Sequence, residues 1–310
     1  MKTRSLAYYG YETPDPSPWK DFGPEVLGLG LIDGERQDGT VYLRMDEKHH
    51  RFAIHPGKQQ RLAYLGWELK DRDDFEEAIE KLDRAAVPYV KATDEQRQDR
   101  MVIDFVSVTD PAGFTHELFY GQGRRIHSYM PGRNHGGFVT GMNGMGHTVL
   151  AVPEGEEFHQ FATGVLGMPI HGVLRRIPGM GMMCFYRNPC GDRHHGLAML
   201  SFGPKRGVHH IMIECKELDD VGIAWTLAKR RGMHLPIDLG RHTDGTLSFY
   251  VETPSGFFIE YAYGSRPADV EYLRNICEHR HFGGGEPGSY WGHETSGGLS
   301  EAQTMPSNLL

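Results

Sequence analysis

The chain has 310 residues, of which 39% are hydrophobic and 24% charged, with a net charge of -8. That composition suits a globular protein with a sizeable core, and the acidic balance argues against nucleic acid as a partner. No apolar run approaches the roughly 20 residues of a membrane span, and MKTRSLAYYGYE lacks the apolar core of a signal peptide, so no membrane partner and a cytoplasmic location are expected.

In chain order, residues 5–29 (SLAYYGYETPDPSPWKDFGPEVLGL) read as a strand, a proline-marked turn, an amphipathic helix and a glycine near the helix end. RLAYLGWELKDRDDFEEAIEKL (61–82) reads as a second strand and helix, and TDPAGFTHELFYG (109–121) as a hairpin turn with its second strand. GQGRRIHSYMPGRNHGGFVTGMNG, ending at Gly144, is loop-like. The pattern then returns. GMGHTVLAVPEGEEFHQFATGVLGM (144–168) aligns without a gap on 5–29, GVHHIMIECKELDDVGIAWTLA (207–228) aligns on 61–82, and ETPSGFFIEYAYG (252–264) aligns on 109–121. The simplest account is four similar units at about 4–56, 61–121, 144–202 and 207–264, each a strand, a helix and about three strands. The expected fold is α+β, with two modules each made of a pair of βαβββ units. The expected boundaries are an N-terminal metal-free module over 1–121, a linker over 122–143, a C-terminal catalytic module over 144–282 and an irregular Gly- and Ser-rich tail over 283–310. The cysteines (Cys184, Cys190, Cys215, Cys277) show no CxxC spacing and read as reduced thiols.

The repeat exposes a difference in chemistry. His147 falls where the first module has Tyr8, and His210 falls where it has Tyr64; Glu260 matches Glu117. The second module therefore sets two histidines and a carboxylate at equivalent strand positions. Strict alternation along GVHHIMIEC puts His209, Ile211, Ile213 and Cys215 on the helix-packed face and His210 on the concave one. Two neutral imidazoles and one carboxylate leave about three positions open on a divalent metal, which is the ligand set of non-haem Fe(II) oxygenases. A structural zinc site would fill all four positions and favour Cys. Mn(II) meets the same donors as Fe(II).

GRHTDGTLSFYVETPSGFFIE (240–260) carries a family signature: a His after G-x, an apolar–Tyr pair, a Pro and a closing Glu. With GMGHTVLAV, DRHHGLAML and WGH near the end, the chain resembles the extradiol ring-cleaving dioxygenases of the vicinal oxygen chelate superfamily, over nearly its whole length. The resemblance implies a curved, partly open barrel-like sheet per module. It implies Fe(II) on His147, His210 and Glu260, a catechol bound through both oxygens, and insertion of both atoms of O₂ beside the diol. It implies His195 as the acid–base histidine, and His242 and Tyr250 as hydrogen-bonding partners of the substrate and bound oxygen, with Asp244 orienting that network. Met180, Met182, Met183 and Phe185 cluster before the RHH strand and are candidates for the pocket wall, with Val149 and His209. The implied substrate is a substituted or bicyclic catechol such as 2,3-dihydroxybiphenyl, with a 3-alkylcatechol or a dihydroxynaphthalene as alternatives. A non-redox glyoxalase-like enzyme is a further alternative on the same fold. The family commonly forms homo-oligomers.

Overall fold

A computed structural model describes residues 1–32, 38–170, 175–177, 181–201, 203–267, 289–294 and 307–308. The first unit is β1 (Ser5–Thr13), α1 (Trp19–Asp21), β2 (Gly30–Ile32), β3 (Val41–Arg44) and β4 (Phe52–Pro56). The second is β5 (Arg61–Glu68), α2 (Arg72–Arg84), β6 (Val90–Lys91), α3 (Asp94–Arg100), β7 (Asp104–Thr109) and β8 (Thr115–Tyr120). The third is β9 (His147–Ala151), α4 (Gly155–Gln160), β10 (Arg175–Ile177), β11 (Gly181–Tyr186) and β12 (Leu197–Ser201). The fourth is β13 (Gly207–Cys215), α5 (Leu218–Arg230), β14 (Gly240–His242), β15 (Leu247–Glu252) and β16 (Phe258–Tyr263), and the last described strand is β17 (Ser289–Gly292).

Units pair into two curled sheets. The strand orders are β2-β3-β4-β1-β5-β8-β7-β6 and β10-β11-β12-β9-β13-β16-β15-β14-β17. In each, the two units meet through an antiparallel pair, β1 with β5 and β9 with β13. Within each unit the first and last strands lie parallel, as a helical crossover allows.

Local chemistry explains the helices. Asp71 accepts the Asp74 backbone N–H at 3.1 Å to cap α2, and Lys81 and Arg84 sit in its last turn, opposite in sign to the helix dipole there. α3 opens on a reciprocal capping box of Thr93 and Gln96. In α5 the apolar face Val221, Ala224 and Ala228 is buried, and the small alanines let the helix sit close on its sheet. The first and third units depart from the expected amphipathic helix. Their short helices run into π-helical turns at Phe22–Val26 and Phe161–Val165, followed by Gly28 and Gly167 at φ 74° and 66°.

One continuous core lies between the sheets and their helices and crosses from one module to the other. Phe257 stands in the β15–β16 turn with its ring centroid 5.5 Å from Tyr9, 4.9 Å from Tyr11 and 5.7 Å from Trp19. Trp19 Nε1 donates to Ser255 Oγ at 2.8 Å. The loop before β9 is pinned as well: Arg133 pairs with Asp220 at 3.3 Å, and His135 Nε2 lies 2.8 Å from the Tyr261 hydroxyl.

Two expectations change here. The tail was expected to be irregular, yet Ser289–Gly292 pairs with β14, because its backbone finds the free edge of that strand. The β13 alternation also breaks. Val208 pairs with Leu150 but His210 pairs with Val149, so an extra residue bulges at His209. The first module has the same irregularity at Ala63, where Tyr11 pairs with Leu62 and Gly10 with Tyr64. Cys277 lies outside the described residues, while Cys184, Cys190 and Cys215 are in no disulfide.

Candidate metal centre

One row of residues crosses the second sheet. His147 on β9 pairs with Met212 on β13, Met212 with Glu260 on β16, and Glu260 with Tyr250 on β15. Gly146, just before His147, has φ 139°, and a Cβ there would fall 1.7 Å from the Met212 carbonyl oxygen. Only glycine lets β9 enter the row at this depth. His210 lies two residues before Met212 on β13, directly after the bulge.

The side chains converge. His147 Nε2 lies 3.2 Å from His210 Nε2 and 3.3 Å from Glu260 Oε2, and His210 Nε2 lies 3.4 Å from the same oxygen. All three residues are buried. A first-row ion about 2.1 Å from each donor would separate them by about 3.0 Å at right angles and about 3.4 Å at tetrahedral angles. The observed triangle fits such an ion, and among the described residues this is a group able to hold one. Burial alone would push the Glu260 carboxyl up, but His147, His210 and His242 hold it well below the usual range. Burial pushes His147 down to about 4, against the pull of Glu260. The cluster therefore sets a buried carboxylate against the uncharged imidazole of His147.

Each of the three donors has a neighbour among the remaining candidates. The His195 ring lies 4.0 Å from His147, Tyr250 stands edge-on to His210 at 5.1 Å, and His242 Nε2 is 3.2 Å from Glu260 Oε1. His242 Nε2 is also 3.1 Å from the Tyr250 hydroxyl. Burial and the adjacent His147 hold His195 well below the ordinary histidine range. Burial and the Glu260 charge raise Tyr250. Asp244 is further out. Its Oδ1 accepts the Thr246 N–H at 2.9 Å in the β14–β15 turn, and its charge acts on His194, Tyr250 and His293 at longer range. Ser248, absent from the sequence reading, donates to Glu260 Oε1 at 2.8 Å. Oε2 thus faces the two imidazoles while Oε1 is held by Ser248 and His242.

The wall candidates divide. Val149, Met183 and Phe185 cluster with Ala198 and Leu200 on the cup face, where Phe185 lies 4.8 Å from the His195 ring. Met182 alternates to the other face and joins the main core with Cys184 and Tyr186, which removes it from the wall. Met180 lies outside the described residues. His209 was expected on the helix-packed face. The bulge turns it to the cup side instead, with Nδ1 2.7 Å from His210 Nδ1 and its ring 5.6 Å from Phe258.

The first module shows the same row with different contents. Tyr8, Gly66, Glu117 and Ser107 replace His147, Met212, Glu260 and Tyr250. Tyr8 donates to Glu117 Oε2 at 2.7 Å, and Arg100 Nη2 lies 3.0 Å from Oε1. The Arg100 guanidinium carbon lies 3.6 Å from the centre of the Tyr64 ring. A guanidinium therefore supplies the positive charge beside this carboxylate.

Paired βαβββ units curled around such a cup define the vicinal oxygen chelate fold. Residues 144–261 match the Glyoxalase/Bleomycin resistance protein/Dioxygenase superfamily, and residues 6–57 match the family described as Dihydroxybiphenyl dioxygenase BphC D1. The chain is 36% identical to an iron-dependent extradiol dioxygenase of Rhodococcus jostii (strain RHA1), covering 96% of this chain and 99% of that one. It is 35% identical to a 1,2-dihydroxynaphthalene dioxygenase of Sphingobium xenophagum, covering 88% and 94%. Its fold matches the crystal structure of BphC, a halotolerant catechol dioxygenase, with a TM-score of 0.84 at 35% identity over 94% of this chain and 95% of that one. The chain belongs to the extradiol dioxygenases of this superfamily.

Proposed function

We propose that the chain cleaves a biphenyl-type catechol such as 2,3-dihydroxybiphenyl beside its diol, using one Fe(II) held by His147, His210 and Glu260 in the C-terminal module (144–282). The observation that carries this reading is the donor triangle of 3.2, 3.3 and 3.4 Å, each corner with its own polar or aromatic neighbour. Bound there, Fe(II) would supply adjacent positions at which the diol and O₂ bind and exchange electrons. Mn(II) meets the same donors.

The protein's own groups supply the rest. His195, kept neutral by burial, takes a proton from a catechol hydroxyl and returns it as the ring opens. Tyr250 and His242 hydrogen-bond the diol and the incoming oxygen, and their mutual contact of 3.1 Å fixes both. Asp244 shapes the turn that carries His242. Val149, Met183 and Phe185 pack the second ring and exclude water, with His209 at the rim. The N-terminal module (1–121) serves as a scaffold without metal, joined through residues 122–143. Self-association into a homo-oligomer belongs to this reading. No helix among the described residues is long and apolar enough to cross a membrane, and a cytoplasmic location belongs to this reading.

A dihydroxynaphthalene is the second reading, favoured by the relative of that name. The test is anaerobic loading with Fe(II), then 2,3-dihydroxybiphenyl, 1,2-dihydroxynaphthalene or 3-methylcatechol, and air. Equimolar O₂ uptake with a yellow product is expected, fastest on the biphenyl diol. Iron-loaded protein that turns over none of the three refutes the reading.

A further inference from the structure

We infer that His293, carried into the fold by the tail strand β17, is a positioning residue that holds Glu260 and His242 in their working geometry, acting through Ser248. The inference rests on the metal site proposed above.

The tail is stitched to the edge of the catalytic sheet on both sides of His293. Gly240 pairs with Gly292, the His293 N–H donates to the Leu239 carbonyl at 3.3 Å, and the Asp238 N–H donates to the Glu294 carbonyl at 3.0 Å. His293 itself has φ 54°, a left-handed conformation that a residue with a Cβ adopts only when its surroundings impose it. Its seat is cut to fit. A Cβ on Gly240 would fall 2.6 Å from the His293 ring, so glycine is needed opposite it.

Seated this way, the imidazole is buried and has a partner at each nitrogen. Nε2 lies 3.2 Å from the Ser248 carbonyl oxygen, which can only accept, so Nε2 carries the proton. Nδ1 lies 2.8 Å from Ser289 Oγ. One face of the ring lies against His242, with centroids 4.0 Å apart and planes 38° apart.

Two of the residues that His293 touches, Ser248 and His242, hold the same oxygen. Ser248 Oγ donates to Glu260 Oε1 at 2.8 Å, and His242 Nε2 lies 3.2 Å from it. Fixing Oε1 leaves Oε2 turned toward His147 and His210. A carboxylate free to rotate would present either oxygen, or both, and would lose the spacing that fits an ion. Outer partners of this kind typically carry 10–100-fold of metal affinity. The first module lacks the arrangement, since Phe105 replaces Ser248 in the equivalent register.

The test titrates metal-free protein with Co(II), read by its visible absorption, which requires no turnover. His293→Ala and Ser248→Ala should each weaken Co(II) binding about 10–100-fold. The double variant should lose little more than either alone, because both act through one oxygen. His293→Gln, which keeps a donor for the Ser248 carbonyl, should recover part of the affinity. Trp291→Ala removes an exposed side chain from β17 and should bind as the parent does. Circular dichroism and thermal melts identify any variant that fails to fold; His293→Gln and Ser248→Ala, the milder changes, then decide the question. Parent-like affinity in His293→Ala, additive losses in the double variant, or an equal loss in Trp291→Ala would overturn the inference. Failure of the parent chain to bind Co(II) would instead refute the metal site itself.

Discussion

Tyr64 lies directly across Gly10. A Cβ at Gly10 would fall 2.2 Å from the phenol ring, and a Cβ at Gly66 would fall 2.3 Å from the ring of Tyr8. Each tyrosine of the first cup therefore lies on a glycine of the neighbouring strand. The second cup has His147 beside Met212 and His210 beside Val149 at the same pairings. Filling a cup with aromatics, or leaving room for an ion, is thus a choice made by pairs of residues.

This sets the first prediction. Tyr64→Ala should cost about 3–5 kcal/mol of stability, as for other large core aromatics, and leave metal binding unchanged. His210→Ala should abolish metal binding. Plasma emission spectrometry of both reconstituted variants measures this, and equal metal loss in the two would contradict the assignment of the site to one module.

A second prediction concerns Arg100. Burial raises the Glu117 carboxyl, and Arg100 opposes that shift. Arg100→Met leaves the carboxylate buried and unpaired, at a cost of about 3–5 kcal/mol near neutral pH. The folded-state pKa of Glu117 then rises further above its unfolded value, so folding takes up a proton. The defect is smallest at low pH and grows as pH rises through the raised value. Urea melts of parent and variant at pH 5 and pH 8 should show the gap widening at pH 8. A gap that does not change with pH means that Glu117 is not the group left unpaired.

The divided wall gives a third. Met182 packs in the core and Phe185 lines the cup. Met182→Ala should destabilise by about 2–5 kcal/mol with little effect on relative KM values. Phe185→Ala should raise KM for 2,3-dihydroxybiphenyl more than for catechol. Steady-state kinetics on both substrates, with melts alongside, decide it; a substrate-selective effect in Met182→Ala would reverse the assignment.

Metal binding should also register as stability. Metal at a hundredfold excess over its Kd should add about 2.7 kcal/mol, removed again by chelation. Glu260→Gln should abolish that gain. Anaerobic thermal melts with and without Fe(II) measure both, and an undiminished gain in the variant would place the metal elsewhere.

Much of this was legible before any coordinates. The four units announce themselves because Pro14 and Pro153, Phe22 and Phe161, and Glu117 and Glu260 recur in register. His147 and His210 stand out because tyrosines occupy their repeat positions. What stayed hidden has physical causes. The face of His209 depends on a bulge, and period-two alternation assumes that there is none. Met182 and Met183 are neighbours in sequence, and neighbours on a strand face opposite ways. Ser248 and His293 are ordinary residue types whose meaning comes only from what they touch, across 12 and 45 residues of chain respectively. The pairing of β17 depends on a free strand edge, which is a property of the assembled sheet.

The bulge shared by β5 and β13 has a consequence for inheritance. A length change of one codon is usually tolerated in a loop and damaging in a strand. Here the extra residue is built into the strand, and it sets which way everything before it points. Pleating residue 209 in line with its neighbours, with no residue removed, would instead slide the N-terminal end of β13 by one place. Val208, now in the core, would then face the cup. The two modules differ in what stands at positions 8, 64, 147 and 210 and in the length of chain between each pair, yet both keep the bulge one residue before Tyr64 or His210.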